Sequence, residues 1–219
     1  MMNQQTLATD VAAVLLAGGQ SRRMLGRDKA FVPLDGRPLL EHCLARLAPQ
    51  VGTIVISANG DPASYPADHP LLPDDNDDHA GPLAGILKAL QWARQTHASS
   101  HVLSVAVDTP FFPVTLAQRL CDVAEAAPER PVLAMSGGRL HPTFGLWPVG
   151  LLGTLEAYLA AGDRKMLLWA EQQGALSVAF EPLVGHGRSV DPFFNINTAE
   201  DLALAEGLLA EIGKEEGNV

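Results

Sequence analysis

The chain has 219 residues, 47% of them hydrophobic and 18% charged, with a formal net charge of −10. That length suits one large domain or two small ones at roughly 150 residues each, and the apolar content is enough for a real core. The negative charge argues against a nucleic-acid-binding surface, because phosphate backbones reward a basic face, and no apolar run reaches the roughly 18 residues that span a membrane.

The first ten residues, MMNQQTLATD, carry no Lys or Arg and end on Asp10 just ahead of an apolar run. That is the wrong charge for a secretion signal, so 1–10 is expected to be a disordered tail and the protein cytoplasmic. VAAVLLA (11–17) is too apolar, and too abruptly ended by Gly18–Gly19, for a surface helix; it reads as a strand buried on both faces. PLLEHCLARLA (38–48) puts Leu39, Leu40, Cys43, Leu44 and Leu47 on one stripe behind Pro38, a helix pattern. GTIVISAN (52–59) is a second buried strand, and GPLAGILKALQWAR (81–94) a helix. HVLSVAVD (101–108) is a third strand, halted by TPFFP. A helix near 113–127, strands at 131–136 and 141–147, and helices near 148–161 and 164–173 follow. A strand at 175–180 and a helix at 198–212 finish the series. Such alternation means right-handed crossovers and a mostly parallel sheet with helices on both faces. The fold class expected is therefore α/β: one three-layer α/β/α domain over 11–213, Rossmann-like. Cys43 and Cys121 stand alone in Leu- and Ala-rich surroundings and read as buried thiols in a reducing compartment.

Ligands in such a sheet sit beyond the carboxyl ends of the strands, and three strand ends carry chemistry. After the first, glycines let backbone amides approach an anion that Arg22, Arg23, Arg27 and Lys29 can neutralise. After the third, Asp108 faces the crevice with Thr109 and Pro110 behind it. FFNINT, ending near Asn197, supplies a further oxygen ligand. Together they suit a phosphate-plus-magnesium site. Neither GxxxxGK[ST] nor GxGxxG occurs in this loop.

LLAGGQSRRM, with GRDK after it, resembles the signature loop of nucleotidyltransferases, and its LAGG form resembles that of molybdenum cofactor guanylyltransferases of the MobA type. GPLAGI (81–86), VAVDTPFFP (105–113), HPTFGLW (141–147) and FNINTAEDL (194–202) extend the resemblance in the same order. It implies an enzyme of one α/β domain that uses GTP and Mg2+, attaches GMP to the terminal phosphate of molybdopterin and releases pyrophosphate. It also implies GTP contacts from Leu16, Ala17, Gly18, Gly19, Lys29, Asn59, Asp74 and Asp108, and metal contacts from Asp108, Asn195 and Asn197. Lys29, Asp108 and Arg23 are the candidate catalytic residues. Transient contact with cofactor-biosynthesis or molybdoenzyme partners is a further implication. Leu25 stands where the family has a second glycine, and Ala199 where proline is common.

Each of these residues also has a plainer reading. Asp108 suits a helix cap, Asn59 a turn, and Lys29 a solvated loop. Of the acids in DDNDDH (74–79), alignment to GPLAG alone singles out Asp74. His97 and His101 have zinc spacing, but they straddle a helix end and a strand start with no third ligand nearby. His141 is expected to line the acceptor site or to hydrogen-bond a turn. Arg164 and Lys165 are placed at a helix start, where positive charge opposes the dipole, which suggests an acceptor phosphate. The related cytidylyltransferases have alanine at the position of Gly18; here the missing side chain is read as room for a purine, with a backbone cost for alanine if φ there is positive. The alternatives are a transferase of this fold using CTP with molybdopterin, or a sugar phosphate, and a non-catalytic nucleotide-binding protein.

Overall fold

A computed structural model describes residues 11–18, 28–73, 81–96, 99–185 and 188–216. Strand β1 (Ala12–Leu16) is buried along its whole length. A hairpin of β2 (Pro33–Leu34) and β3 (Arg37–Pro38) leads into helix α1 (Leu39–Leu47). The chain continues through β4 (Thr53–Ser57), β5 (Leu71–Leu72), α2 (Pro82–Thr96), β6 (His101–Ala106) and α3 (Leu116–Ala124). Next come β7 (Val132–Ser136), β8 (Arg139–Pro148), α4 (Leu152–Ala160), α5 (Met166–Gln172) and β9 (Leu176–Ala179). A second hairpin, β10 (Leu183–Gly185) with β11 (Arg188–Val190), precedes α6 (Ala199–Glu216).

The main sheet has the order β5-β4-β1-β6-β8-β7-β9. β8 alone among its paired strands runs antiparallel to its neighbours, β6 and β7, so the expected mostly parallel sheet is present. The exception has a local cause. Only Gly137 and Gly138 separate β7 from β8, with φ of +53° and +79°, a two-residue turn that closes a hairpin and cannot make a parallel crossover. The short strands β2, β3, β5, β10 and β11 are additions to the expected elements. At two or three residues each, none is long enough to show a hydrophobic period.

Alternate residues of β1 feed opposite layers. Ala13 and Leu15 join Leu40, Cys43, Leu47, Leu116 and Leu120 from α1 and α3. Val14 and Leu16 join Leu83, Ile86, Leu155 and Trp169 from α2, α4 and α5. A third, smaller core sets Ala205 and Leu208 of α6 against Val32, Leu34, Phe111 and Ile196. It ties the chain's last helix to the turn around Lys29. Among the described residues no helix is long and apolar enough to cross a membrane.

Gly85 in GPLAGI has a packing reason. A Cβ there would stand 2.5 Å from Ser57 Oγ and 2.7 Å from Leu16 Cδ2, so α2 meets the ends of β1 and β4 through bare backbone. Gly85→Ala is expected to lower the free energy of unfolding by about 1–3 kcal/mol, the usual cost of overpacking, read from the urea midpoint. A midpoint equal to that of the parent would mean the helix can withdraw freely.

Candidate functional site

The parallel strands β1, β4 and β6 end side by side, at Leu16, Ser57 and Ala106. The next residues cross-link those ends. Ala17 and Gly18 both donate their backbone N–H to Ser57 O at 2.9 Å, and Val107 N–H donates to Leu16 O at 3.2 Å. The amides of Ala17 and Gly18 are therefore taken by the sheet edge. Gly19, Arg22, Arg23, Leu25 and Arg27 lie outside the described residues, as do Asp74 and His97. Leu16 and Ala17 are buried and Gly18 is exposed. Among the described residues a Cβ on Gly18 would meet Ser57 O alone, at 3.7 Å, and its φ is not positive. Nothing among the described residues requires glycine there.

The centre of the site is an ammonium group between two oxygens. Lys29 Nζ donates to Asp108 Oδ2 at 2.8 Å and to Asn197 Oδ1 at 2.5 Å. The Lys29 and Asp108 side chains are 19% and 15% exposed, so the pair is shielded yet reachable. Removing one partner would strand the other charge in a half-buried place. Each arm of this contact is held from behind.

Lys29 sits on a single 3-10 turn, Lys29–Phe31, capped by Asp28, whose Oδ1 accepts Ala30 N–H at 3.0 Å. The other carboxylate oxygen of Asp28 accepts the Tyr65 hydroxyl at 2.9 Å, and the Tyr65 ring leans on Phe31. Burial, then the hydrogen bond to Asp28, pushes the Tyr65 hydroxyl well above its ordinary value, so it stays a donor. Asp108 stands two residues past the end of β6. Its carbonyl accepts Ile196 N–H at 2.8 Å, which brings the asparagine segment alongside. Beneath it the Cys43 thiol donates to Val107 O at 3.3 Å. Burial above all, with the Asp108 charge next, raises this thiol's pKa and keeps it protonated.

The two asparagines divide their work. Asn197 Oδ1 faces Lys29, whereas Asn195 Oδ1 accepts the hydroxyl of buried Thr109 at 2.9 Å. Aromatic rings lock the two loops together: Phe111 stacks on Phe194, and Phe144 bridges Phe112 and Phe193. Asp201 then anchors the outgoing chain. Its Oδ2 accepts N–H from Asn197 and Thr198, both at 2.9 Å, and its own N–H returns to Thr198 Oγ1 at 3.1 Å. This is a reciprocal cap at the start of α6.

The other expected residues among those described sit on other elements. Asn59 is exposed two residues past β4. His141 is 8% exposed, its Nε2 facing Ser136 and Asp191. The Arg164 guanidinium donates to Leu159 O and Asp163 O, both at 2.8 Å. It lies at the C-terminal end of α4, where a cation suits the dipole. A reason for this charge is thus present without an anion, and Lys165 is the residue preceding α5. Thr109, Asp201, Tyr65, Ser136 and Asp191 are additions to the expected set. The T-x-x-D spacing of 198–201 is a legible cap signal; the Tyr65–Asp28 contact, 37 residues apart, has no local signal.

The profile of the MobA-like NTP transferase domain matches residues 13–175. The chain belongs to this family. As a MobA-like nucleotidyltransferase it is 46% identical over 205 residues to the molybdenum cofactor guanylyltransferase of Bradyrhizobium sp., covering 92% of this chain and 94% of that protein. It is 43% identical over 202 residues to the protein of the same name from Mesorhizobium japonicum, covering 91% and 96%. Its fold is similar to the solved structure of molybdopterin-guanine dinucleotide biosynthesis protein A from Archaeoglobus fulgidus. That match has a TM-score of 0.71 at 23% identity, over 92% of this chain and 100% of that one.

The cap formed by Asp201 gives a pH-dependent expectation. Above all the Asn197 N–H, with Thr198 and the Lys29 charge adding, holds this carboxyl below its usual range. A carboxyl depressed in the folded state stabilises fully above its unfolded pKa, about 4, and loses that contribution as pH falls through the folded value. Asp201→Ala should cost about 1 kcal/mol of unfolding free energy at pH 7, with the gap to the parent narrowing below about pH 4. A gap that stays constant down to pH 3 would contradict the assignment.

Proposed function

We propose that this protein transfers GMP from GTP to the terminal phosphate of molybdopterin, forming the guanine dinucleotide form of the molybdenum cofactor and releasing pyrophosphate. The observation that carries this reading is the Lys29 ammonium held against Asp108 and Asn197 at the strand ends. Its setting supports it: a chain 43–46% identical, over nine-tenths of its length, to proteins named molybdenum cofactor guanylyltransferase. In the reaction an acceptor phosphate oxygen forms a bond to the α-phosphorus of GTP while the bond to the β-phosphate oxygen breaks. Negative charge grows on the departing pyrophosphate, and Lys29 is the point charge assigned to it. Such transfers need positioning and charge neutralisation more than covalent chemistry by the protein. Arg23 remains assigned to the same phosphates, and Gly18, Gly19, Asn59 and Asp74 to the nucleotide.

The donor set suits Mg2+. That ion favours oxygen ligands and takes one or two carboxylates, with substrate phosphates and waters completing its shell. Asp108 and Asn197 are the residues that would hold it, and it would supply neutralisation of phosphate charge. Asn195, whose oxygen accepts the Thr109 hydroxyl, is the further oxygen proposed for the metal and also shapes the segment. Among the described residues no group of three or more His, Cys, Asp or Glu side chains could hold a metal ion.

Pyrophosphate release, measured with GTP, magnesium and molybdopterin and with each omitted in turn, tests the reading. Release should need all three, and CTP or a sugar phosphate should not substitute. Asp108→Asn should stay folded and lose roughly a hundredfold or more in kcat, since a neutral amide is a poorer magnesium ligand than a carboxylate. Near-normal turnover by that variant at ordinary magnesium would overturn the role of Asp108.

A further inference from the structure

Ser136, His141 and Asp191 form a cluster outside the Lys29 contact, from three separate segments. Ser136 ends β7, His141 lies in β8 across the Gly137–Gly138 turn, and Asp191 follows β11. Ser136 Oγ lies 2.6 Å from Asp191 Oδ1 and 3.0 Å from His141 Nε2, and that same nitrogen is 3.4 Å from Asp191 Oδ2. Ser136 and His141 are 5% and 8% exposed.

These residue types suggest a nucleophile with its base, but the protons run the other way. An ionised carboxylate only accepts, so the short Ser136–Asp191 contact uses the serine proton. Ser136 Oγ must then accept from His141, which places the imidazole proton on Nε2. His141 cannot serve as the base for this hydroxyl, because its Nε2 carries the proton that it donates to Ser136. In a hydrolytic arrangement the carboxylate would instead meet the opposite ring nitrogen. Burial, the first of its causes, lowers the pKa of His141, with Asp191 opposing and Arg139 assisting. The neutral ring is therefore the resting form.

The cluster holds the loop that carries the asparagines. Asp191 Oδ1 also accepts Phe193 N–H at 2.8 Å, and Asp191 O accepts Phe194 N–H at 3.1 Å. The Phe193 ring sits 4.8 Å from the His141 ring. From there the chain runs to Ile196, bonded to the Asp108 carbonyl, and to Asn197, whose N–H is held by Asp201. The segment bearing Asn195 and Asn197 is thus strung between two carboxylates, and the first of them is fixed to the β7–β8 hairpin.

We propose that Ser136, His141 and Asp191 are positioning residues for nucleotidyl transfer: the clamp fixes residues 191–197 so that Asn197 meets Lys29 and Asp108. The functional half of this inference rests on the transfer reaction proposed above. It gives His141, the first residue of HPTFGLW, a role at second hand, as neither a proton acceptor nor a ligand of the acceptor substrate.

Three variants of the full chain separate this role from simple packing. Ser136→Ala removes the relay. His141→Asn places an amide near the site of Nδ1, away from the serine, whereas His141→Gln carries an N–H donor to the place of Nε2. Backbone hydrogen exchange at Ile196 and Asn197, which needs no substrate, should quicken in Ser136→Ala and His141→Asn and stay close to the parent in His141→Gln. In the transfer assay the first two should lose roughly tenfold in kcat, about the worth of one hydrogen bond to a charged group. KM for GTP should stay within about twofold, and His141→Gln should restore most of kcat. Unchanged exchange at residues 196 and 197 overturns the proposal. So does a parent-like kcat in Ser136→Ala, a rise in KM at constant kcat, or a His141→Gln variant as impaired as His141→Asn. If the parent itself transfers no GMP, the transfer reading fails, and the clamp's hold on residues 191–197 is still decided by exchange.

Discussion

Ile196 donates its N–H to the carbonyl of Asp108, and the site depends on that bond. Asp108 stands two residues past β6, the middle strand of the sheet, while Ile196 arrives much later in the chain, after the sheet is complete. The bond brings Asn197 within reach of a lysine 168 residues away in sequence. Buried faces hold it in place. Ile196 shares a core with Leu34, Phe111 and two residues of α6, and Phe111 stacks on Phe194 beside it. An unpaired amide or carbonyl in so enclosed a place would carry the full desolvation cost. The sheet thus sets the position of Asp108, and one backbone bond passes that position on.

Charge follows the same logic of support from behind. The chain is acidic overall, yet its candidate centre is an ammonium group. Lys29 is aimed by a capped turn whose cap, Asp28, is itself gripped by the Tyr65 hydroxyl. Tyr65 comes from the chain beyond β4, near Gly60, where an added Cβ would stand 3.1 Å from the tyrosine ring. The turn that carries Asn59 and the turn that carries Lys29 are therefore mechanically joined. A phosphate chain laid along the strand ends would meet groups whose directions are fixed before it arrives, which is the form of catalysis that phosphoryl-type transfer rewards.

The strand ends were legible in the sequence because a strand buried on both faces leaves a continuous apolar run, and Gly18 and Asp108 end such runs abruptly. Lys29 was legible through local charge and through its resemblance to GRDK loops. The meeting of Lys29 with Asn197 was not, since no periodicity reports a contact between such distant residues. The different duties of Asn195 and Asn197 turn on which oxygen Thr109 reaches. Arg164 shows the opposite case. A helix start was the natural place for MLLWAEQ, but the arginine before it serves the end of the preceding helix, and only the carbonyls of Leu159 and Asp163 reveal that. The antiparallel β8 hung on two glycines, a signal shorter than any pattern window.

The central claim is that Lys29 meets the outer phosphates of a nucleotide triphosphate at the Asp108–Asn197 contact. Calorimetric titration of the parent and of Lys29→Ala with GTP and with GMP, at fixed magnesium and salt, tests it most directly. The variant should lose roughly tenfold or more in affinity for GTP, and its affinity for GMP, which lacks those phosphates, should stay within about twofold of the parent. Equal losses for the two nucleotides would contradict the claim and move Lys29 away from the triphosphate tail.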